Sequence, residues 1–287
     1  MVRWTLKDRS YTAEGPLVMG ILNATPDSFH AASRTLPEEA VARAQHMLDE
    51  GADILDIGGM STRPGAEGIP LAVELERVVP VIAAIHQRFP EALLSVDTHR
   101  AEVAVAAVNA GARMVNDVGA GRLDDRMMST VAALRVPYVI MHMQGTPATM
   151  QHDPQYDNVV NEVVQFLSER MAEAHRAGIA DVIVDPGFGF GKTTPQNLAL
   201  FNGLWAVAAL GAQVLVGVSR KRMINEILGT TPEQALNGTT VLNTLALQRG
   251  GTILRVHDVR PAREAVLMQR ALWKAAGSEL HLPPFAR

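Results

Sequence analysis

Apolar and polar positions along the chain repeat a single theme. A short apolar run ends in a polar residue, a turn follows, and apolar positions then recur at helical spacing. The runs read LVMGILN, ADILDIGG, ALLSVDTH, RMVNDV, PYVIMHM, DVIVDPG, QVLVGVSR and TILRVHDV. Several are apolar on both faces, as strands covered by helices should be. After the first run, Thr35 to Glu38 has capping-box spacing, and Ala40, Val41, Ala44, Met47 and Leu48 mark one face of a helix. Gly51, Gly111, Gly178, Gly211 and Gly250 each stand just ahead of the next run, where a left-handed residue ends a helix.

Eight such units in 287 residues leave about 36 residues each, enough for a strand, a helix and two short loops. Alternating strands and helices predict a parallel sheet. Eight of them predict an α/β fold closed as a (β/α)8 TIM barrel, with an open doubly wound sheet as the alternative. Residues 2–14 precede the first unit and have the length of a short N-terminal hairpin across the barrel bottom. Nothing in the sequence reads as a linker, so residues 1–287 are expected to form one domain.

Composition narrows the function. The 26 basic and 30 acidic residues leave a net charge of −4, which argues against a nucleic-acid or anionic-membrane surface. Hydrophobic residues at 47% give a large core and exclude disorder. The absence of cysteine excludes disulfides, thiolate metal sites and cysteine nucleophiles, and suits a reducing cytoplasm. The N-terminal MVRWTLKDRS has no apolar h-region of a secretory signal. Leu204 to Val218, the longest nearly apolar stretch, falls short of the about 20 residues a membrane span needs.

Barrel enzymes work where strands end and βα loops begin. The polar residues that end the runs are Asn23, Asp56, Asp97, Asn116, His142, Asp185, Ser219 and His257. Any one of them has an ordinary use as a helix cap or turn residue; all eight together outline a polar rim. Asp97, Asn116 and Asp185 suit the edge of a nitrogen heterocycle, with Lys221 adding a donor or a charge. Arg63, Arg220, Arg255 and His257 suit a phosphate or carboxylate. Sharper motifs fail. Gly187 to Thr193 lacks Walker spacing because Pro186 stands where glycine is required, and Gly217-Val-Ser219-Arg-Lys221 lacks the second glycine of a nucleophile elbow. No histidine pair has zinc spacing. Lys192 or Lys221 as a Schiff-base lysine rests on a single residue type. His46, His86 and His175 fall within helical patterns and read as surface or boundary residues.

MGILNATPDSF, DIGGMSTRPGA, SVDT, NDV, MHMQGTPATM, DPGFGFGK, GVSRK and LRVHDV occur in that order across nearly the whole chain. This series resembles the dihydropteroate synthases of the pterin-binding barrel family. The resemblance implies condensation of 6-hydroxymethyl-7,8-dihydropterin pyrophosphate with p-aminobenzoate, giving 7,8-dihydropteroate and pyrophosphate in folate biosynthesis. It implies pterin contacts at Asp97, Asn116, Asp185 and Lys221, and Arg255 against the pterin face. It implies diphosphate contacts at Arg255 and His257, and a Mg2+ ligand at Asn23. Thr62, Arg63, Pro64, Phe190 and Ser219 fall where the second substrate meets the diphosphate, and Met141 and Gly217 join the substrate-binding positions. The catalytic set is then Arg63, Asp97, Lys221, Arg255 and His257. Small-molecule partners and a cytoplasmic homodimer follow from the same likeness.

Two departures stand out. After Asp27-Ser28-Phe29 the family usually has Ser-Asp-Gly-Gly, whereas this chain has His30-Ala31-Ala32-Ser33; and the family has Glu where Met60 stands. Two alternatives therefore remain. One is a non-catalytic pterin-binding paralogue, which the altered first loop favours. The other is a pterin-dependent methyltransferase, which has no use for the basic residues of STRPGA, SRK and RVH.

Overall fold

The computed structural model describes residues 2–24, 36–60, 68–146, 150 and 153–276. The eight apolar runs become eight parallel strands in a closed barrel: β3 (Leu17–Asn23), β4 (Ile54–Gly58), β5 (Leu93–Asp97), β6 (Met114–Asp117), β7 (Tyr138–Met141), β8 (Val182–Asp185), β9 (Gln213–Val216) and β10 (Ile253–Val256). Each pairs with its neighbours in chain order, and β10 closes the ring by pairing with β3, Ile253 opposite Leu17. The open doubly wound sheet is thereby excluded.

Helices return the chain from each strand to the next: α1 (Leu36–Asp49), α2 (Leu71–Arg88), α3 (Ala101–Ala110), α4 (Met127–Leu134), α5 (Val159–Arg176), α6 (Thr194–Asn202), α7 (Leu204–Ala208), α8 (Arg222–Leu228), α9 (Leu236–Gln248) and α10 (Val259–Ala276). The repeat predicts one helix per strand, but the units after β8 and β9 carry two each. Gly203 divides α6 from α7, and any Cβ there would press on the Val160 side chain. Gly229, at φ 63°, ends α8, and a capping-box turn at Thr231–Gln234 precedes α9. On α1, Ala40, Ala44 and Met47 are buried while Val41 and Leu48 pack beside them. Thr35, half of its expected capping box, lies outside the described residues. The five glycines expected to end helices all take positive φ, between 81° at Gly211 and 130° at Gly111.

The N-terminal hairpin pairs β1 (Val2–Leu6) with β2 (Arg9–Ala13). Lys7 in its two-residue turn has φ 36°, as the twist of a tight hairpin requires. Val2, Trp4 and Leu6 face Leu17, Met19, Ile54, Leu93 and Leu215 and seal the amino end of the barrel. Thr5 N–H donates to Asp181 at 2.6 Å and fixes the plug in place. The open end is the other one.

Candidate active site

Side chains along each barrel strand alternate between the lumen and the helices. On β4, Leu55 and Ile57 pack under helices, while Ile54 and Asp56 enter the barrel. Going from the amino to the carboxyl end, the inward residues change character. Ile54, Leu93, Met114, Ile183 and Ile253 form an apolar floor, and above them lie Asp56, Asp97, Asn116, Asp185 and Arg255.

Arg255 is the hub. Its Nε donates to Asp56 Oδ2 at 2.7 Å and its Nη2 to Asp97 Oδ2 at 2.6 Å. Asn116 Nδ2 donates to the same Asp56 oxygen at 2.9 Å. Four strands are thus tied across the lumen. Burial opposes the guanidinium charge, but Asp56 and Asp97 outweigh it and hold the Arg255 pKa above its usual value. Two carboxylates around one guanidinium leave negative charge in excess. Burial pushes Asp97 up to about 7, Arg255 pulls it back, and Asp56 and Glu74 push it further up. Asp56 Oδ1 and Asp97 Oδ1 are buried and, among the described residues, accept no hydrogen bond. A buried acceptor left without a donor costs about 1–3 kcal/mol, more when charged. Donors on a ligand would remove that cost.

Asp185, at the end of β8, accepts from Gly187 N–H at 2.7 Å. Burial raises its pKa, offset in part by Gly187, Lys221, Arg255 and Lys192. The following loop turns on Gly187, Gly189 and Gly191, all at positive φ; a side chain on Gly187 would run into the His142 carbonyl oxygen. Two buried side chains clamp it. Asn197 on α6 accepts from Gly189 N–H at 2.7 Å and donates to the Lys192 and Thr193 carbonyls at 3.1 and 2.9 Å. Lys192 Nζ lies 2.9 Å from the Gly187 carbonyl, 3.1 Å from that of Phe190 and 2.9 Å from His142 Nδ1. Burial pushes Lys192 down to about 7 and His142 down to about 2, so His142 is the neutral acceptor. With three donors engaged, Lys192 has no free amine for a Schiff base.

The clamped loop delivers two groups to Lys221. The Phe188 carbonyl accepts from Nζ at 2.6 Å, and the Phe190 ring centroid lies 4.2 Å from it. Burial pushes Lys221 down to about 8, against the pull of Asp185. Met141 sits at the end of β7 in a buried patch with Val118, Met143 and Met150, beside Phe190. Nothing lies within 4 Å of the position a Cβ on Gly217 would take, so this residue faces open space.

Ser219 Oγ accepts from His257 N–H at 3.2 Å and lies 3.0 Å from His257 Nδ1. The hydroxyl has one proton and two lone pairs, so it can pair with Nδ1 in either tautomer of the neutral ring. Burial, then Arg255 and Arg220, lower His257 to about 4. Arg220 itself is forked onto Asp258 at 3.0 and 2.6 Å, which matches the charge that the sequence offered to an anion.

The structure thus gathers Asp97, Asn116, Met141, Asp185, Phe190, Gly217, Ser219, Lys221, Arg255 and His257 at the open end, with half-buried Asn23 ending β3. Thr62, Arg63, Pro64 and the altered first loop lie outside the described residues. The rim is stepped. Asp56 lies two residues inside its strand, Asn116 one inside, His142 and His257 just beyond, and Ser219 three beyond. Asp56 was visible as a polar position but had no assigned role; its inward phase, shared with Ile54, was the available signal. Asn197 gave none.

A family model described as pterin binding enzyme matches residues 19–257. The dihydropteroate synthase of Escherichia coli K12 is 41% identical over 263 residues, 91% of this chain and 93% of that protein. The solved structure of Xanthomonas albilineans dihydropteroate synthase with 4-aminobenzoic acid superposes with a TM-score of 0.88 at 46% identity, covering 95% of this chain and 99% of that one. The same enzyme with 7,8-dihydropteroate gives a TM-score of 0.86 at 44% identity, over 95% and 99%. The match runs from the first barrel strand to the histidine after the last, and the chain belongs to the pterin-binding enzymes as a member of the dihydropteroate synthase family.

Proposed function

We propose that the protein condenses 6-hydroxymethyl-7,8-dihydropterin pyrophosphate with p-aminobenzoate to give 7,8-dihydropteroate and pyrophosphate in folate biosynthesis. The observation that carries this reading is the pair of buried, undonated oxygens on Asp56 and Asp97 beside the Arg255 guanidinium. A pterin supplies ring N–H and amino donors to such oxygens and a flat face to a guanidinium. Asn116, Asp185 and Lys221 complete its edge.

The C–O bond between the pterin methylene and the diphosphate breaks, and the electron pair leaves with oxygen. Asp97 and Asp185 stabilise the positive charge that spreads over the dihydropterin. Arg255, His257 and Arg63 balance the charge growing on the diphosphate. The neutral amine of p-aminobenzoate, held against Phe190 with Thr62, Pro64 and Ser219, forms the C–N bond and then loses a proton. No covalent enzyme intermediate is needed.

Asn23 would hold Mg2+. It presents a hard amide oxygen at the rim, and no group of three or more His, Asp or Glu side chains suited to a metal converges among the described residues. A single protein ligand suits an ion that keeps several waters and binds through substrate phosphates. When bound there, Mg2+ supplies further charge neutralisation to the diphosphate.

The same reading includes a homodimer in a reducing cytoplasm. Ile227 and Leu228 on α8, Leu236 and Val241 on α9, and Leu267, Met268 and Leu272 on α10 are all exposed. Helices α9 and α10 pack together, and α8 packs on α9. A second copy of the chain would cover this apolar side.

The test is product analysis with purified protein, Mg2+ and both substrates. Dihydropteroate is the expected product, and Asp185→Asn should weaken pterin affinity by about tenfold to a hundredfold, since a buried donor replaces an acceptor. A protein that binds the pterin and forms no product would be the silent paralogue that the altered first loop favours.

A further inference from the structure

Among the described residues, the cations around the site have oxygens to bind, with Arg43 as the exception. Arg255 holds Asp56 and Asp97, Arg220 holds Asp258, and Lys221 and Lys192 hold loop carbonyls. Arg43 on α1 is half-buried and, among the described residues, has no hydrogen-bond or ion-pair partner. A guanidinium carries five N–H donors, and partial removal from water without an acceptor is a cost the fold does not recover from its own atoms.

Its position follows from the packing of α1 on β3. Met47 lies against Gly20, where an added Cβ would stand 3.1 Å from the Met47 sulfur. Arg43 is one turn nearer the helix N-terminus, about 6 Å at 1.5 Å per residue. Because α1 runs back along β3, that step leads toward the open end; at about 3.3 Å per strand residue it brings Arg43 abreast of Leu22. Helical side chains lean toward the helix N-terminus, which carries the guanidinium on toward Asn23 and Ala24. Two neighbours agree with this placement. Burial and then Arg220 push the Arg43 pKa down, and Arg43 is among the charges that lower His257. The helix phase and these two interactions put an unmatched positive charge on the β3–β10 side of the mouth, near enough to Arg220 and His257 to interact with both.

We propose that Arg43 is a further binding residue for the phosphate groups of the diphosphate substrate, an inference that rests on the function proposed above. The p-aminobenzoate carboxylate is the weaker candidate, because Phe190 places that substrate on the β8–β9 side and the diphosphate carries more charge. Arg43 contributes to holding the diphosphate and to balancing its charge as it leaves.

The experiment is calorimetry in Mg2+ buffer on wild type, Arg43→Ala and Arg43→Lys. Inorganic pyrophosphate is titrated into protein saturated with 6-hydroxymethylpterin, and 6-hydroxymethylpterin and p-aminobenzoate are titrated separately. Arg43→Ala should lose about tenfold or more in pyrophosphate affinity, the scale of a charge-assisted hydrogen bond. Arg43→Lys should recover much of it, and pterin affinity should stay unchanged in both variants. Unaltered pyrophosphate affinity in Arg43→Ala would overturn the proposal. Equal losses for pyrophosphate and pterin would overturn it in favour of a structural role, and a loss confined to p-aminobenzoate would move Arg43 to the other substrate. Wild-type protein that binds the pterin and no pyrophosphate would instead overturn the functional reading beneath it.

Discussion

Asp97 and Lys221 place opposite demands on pH. In the proposed complex Asp97 accepts from the pterin as a carboxylate and Lys221 donates as an ammonium; burial has pushed the Asp97 pKa up to about 7 and that of Lys221 down to about 8. Pterin affinity should therefore rise as pH climbs through about 7 and fall beyond about 8. Calorimetry between pH 5.5 and about 9.5 checks this, and Asp97→Asn should remove the acid limb while leaving the alkaline one. The sign for stability runs the other way. A folded-state acid pKa raised above its unfolded value means the folded protein holds the extra proton, so ligand-free stability declines as pH rises from about 4 to 7. Binding and stability pull apart over the same interval, as expected of a site strained in favour of its ligand. Asp97, Asn116 and Asp185 were legible as polar ends of apolar runs. Asp56 was visible in the same way, but its role was not, because that role depends on a guanidinium 199 residues away in sequence.

At the scale of elements, the loop from Gly187 to Lys192 links a local sequence pattern to the position of Lys221. Its glycines could be read as a flexible or phosphate-binding segment; the fold uses them to bring backbone against the His142 and Gln144 main chain. Lys192 is what holds the carbonyls inward. Lys192→Met keeps much of the volume but leaves the Phe190 carbonyl and His142 Nδ1 without their Lys192 donor, while the Gly187 carbonyl keeps the Phe190 N–H at 3.1 Å. It should cost about 2–4 kcal/mol in urea unfolding, at roughly 1–3 kcal/mol per unpaired buried group. Lys221 and Phe190 should shift with the loop, so both pterin and p-aminobenzoate affinity should fall. Wild-type stability in this variant would show that the loop holds itself. The eight strands and the glycines that end helices were legible because period and positive φ are local properties. The division of α6 from α7 was not, because Gly203 answers to the side chain of Val160 on another helix.

The whole molecule separates its tasks along the barrel axis. The hairpin and the apolar floor close the amino end with Trp4, Leu6, Met19 and Ile54, and the charged residues collect at the other. A net charge of −4 gives no hint of the paired charges gathered at that mouth, because they are a small fraction of the 26 basic and 30 acidic residues in the chain. Sideways, α8, α9 and α10 present apolar residues that the barrel does not use. Met268→Glu with Leu272→Glu should yield a monomer in sedimentation velocity, with the fold intact by circular dichroism. A wild-type protein already monomeric at micromolar concentration would remove the dimer.

The most direct test of the central claim is to follow pyrophosphate and dihydropteroate together, with and without p-aminobenzoate. The residues expected to bind the pterin come together at the open end, while the sequence of the first loop has His30, Ala31 and Ala32 in place of the family's acidic and glycine residues, a replacement expected to admit water beside the second substrate. Pyrophosphate should be released in Mg2+ buffer and fall on chelation. Dihydropteroate should form only with p-aminobenzoate, and pyrophosphate should exceed dihydropteroate because water captures part of the cation. A one-to-one ratio would show that the substituted loop excludes water as well as the usual one. No pyrophosphate release, from a protein that still binds the pterin, would contradict the account.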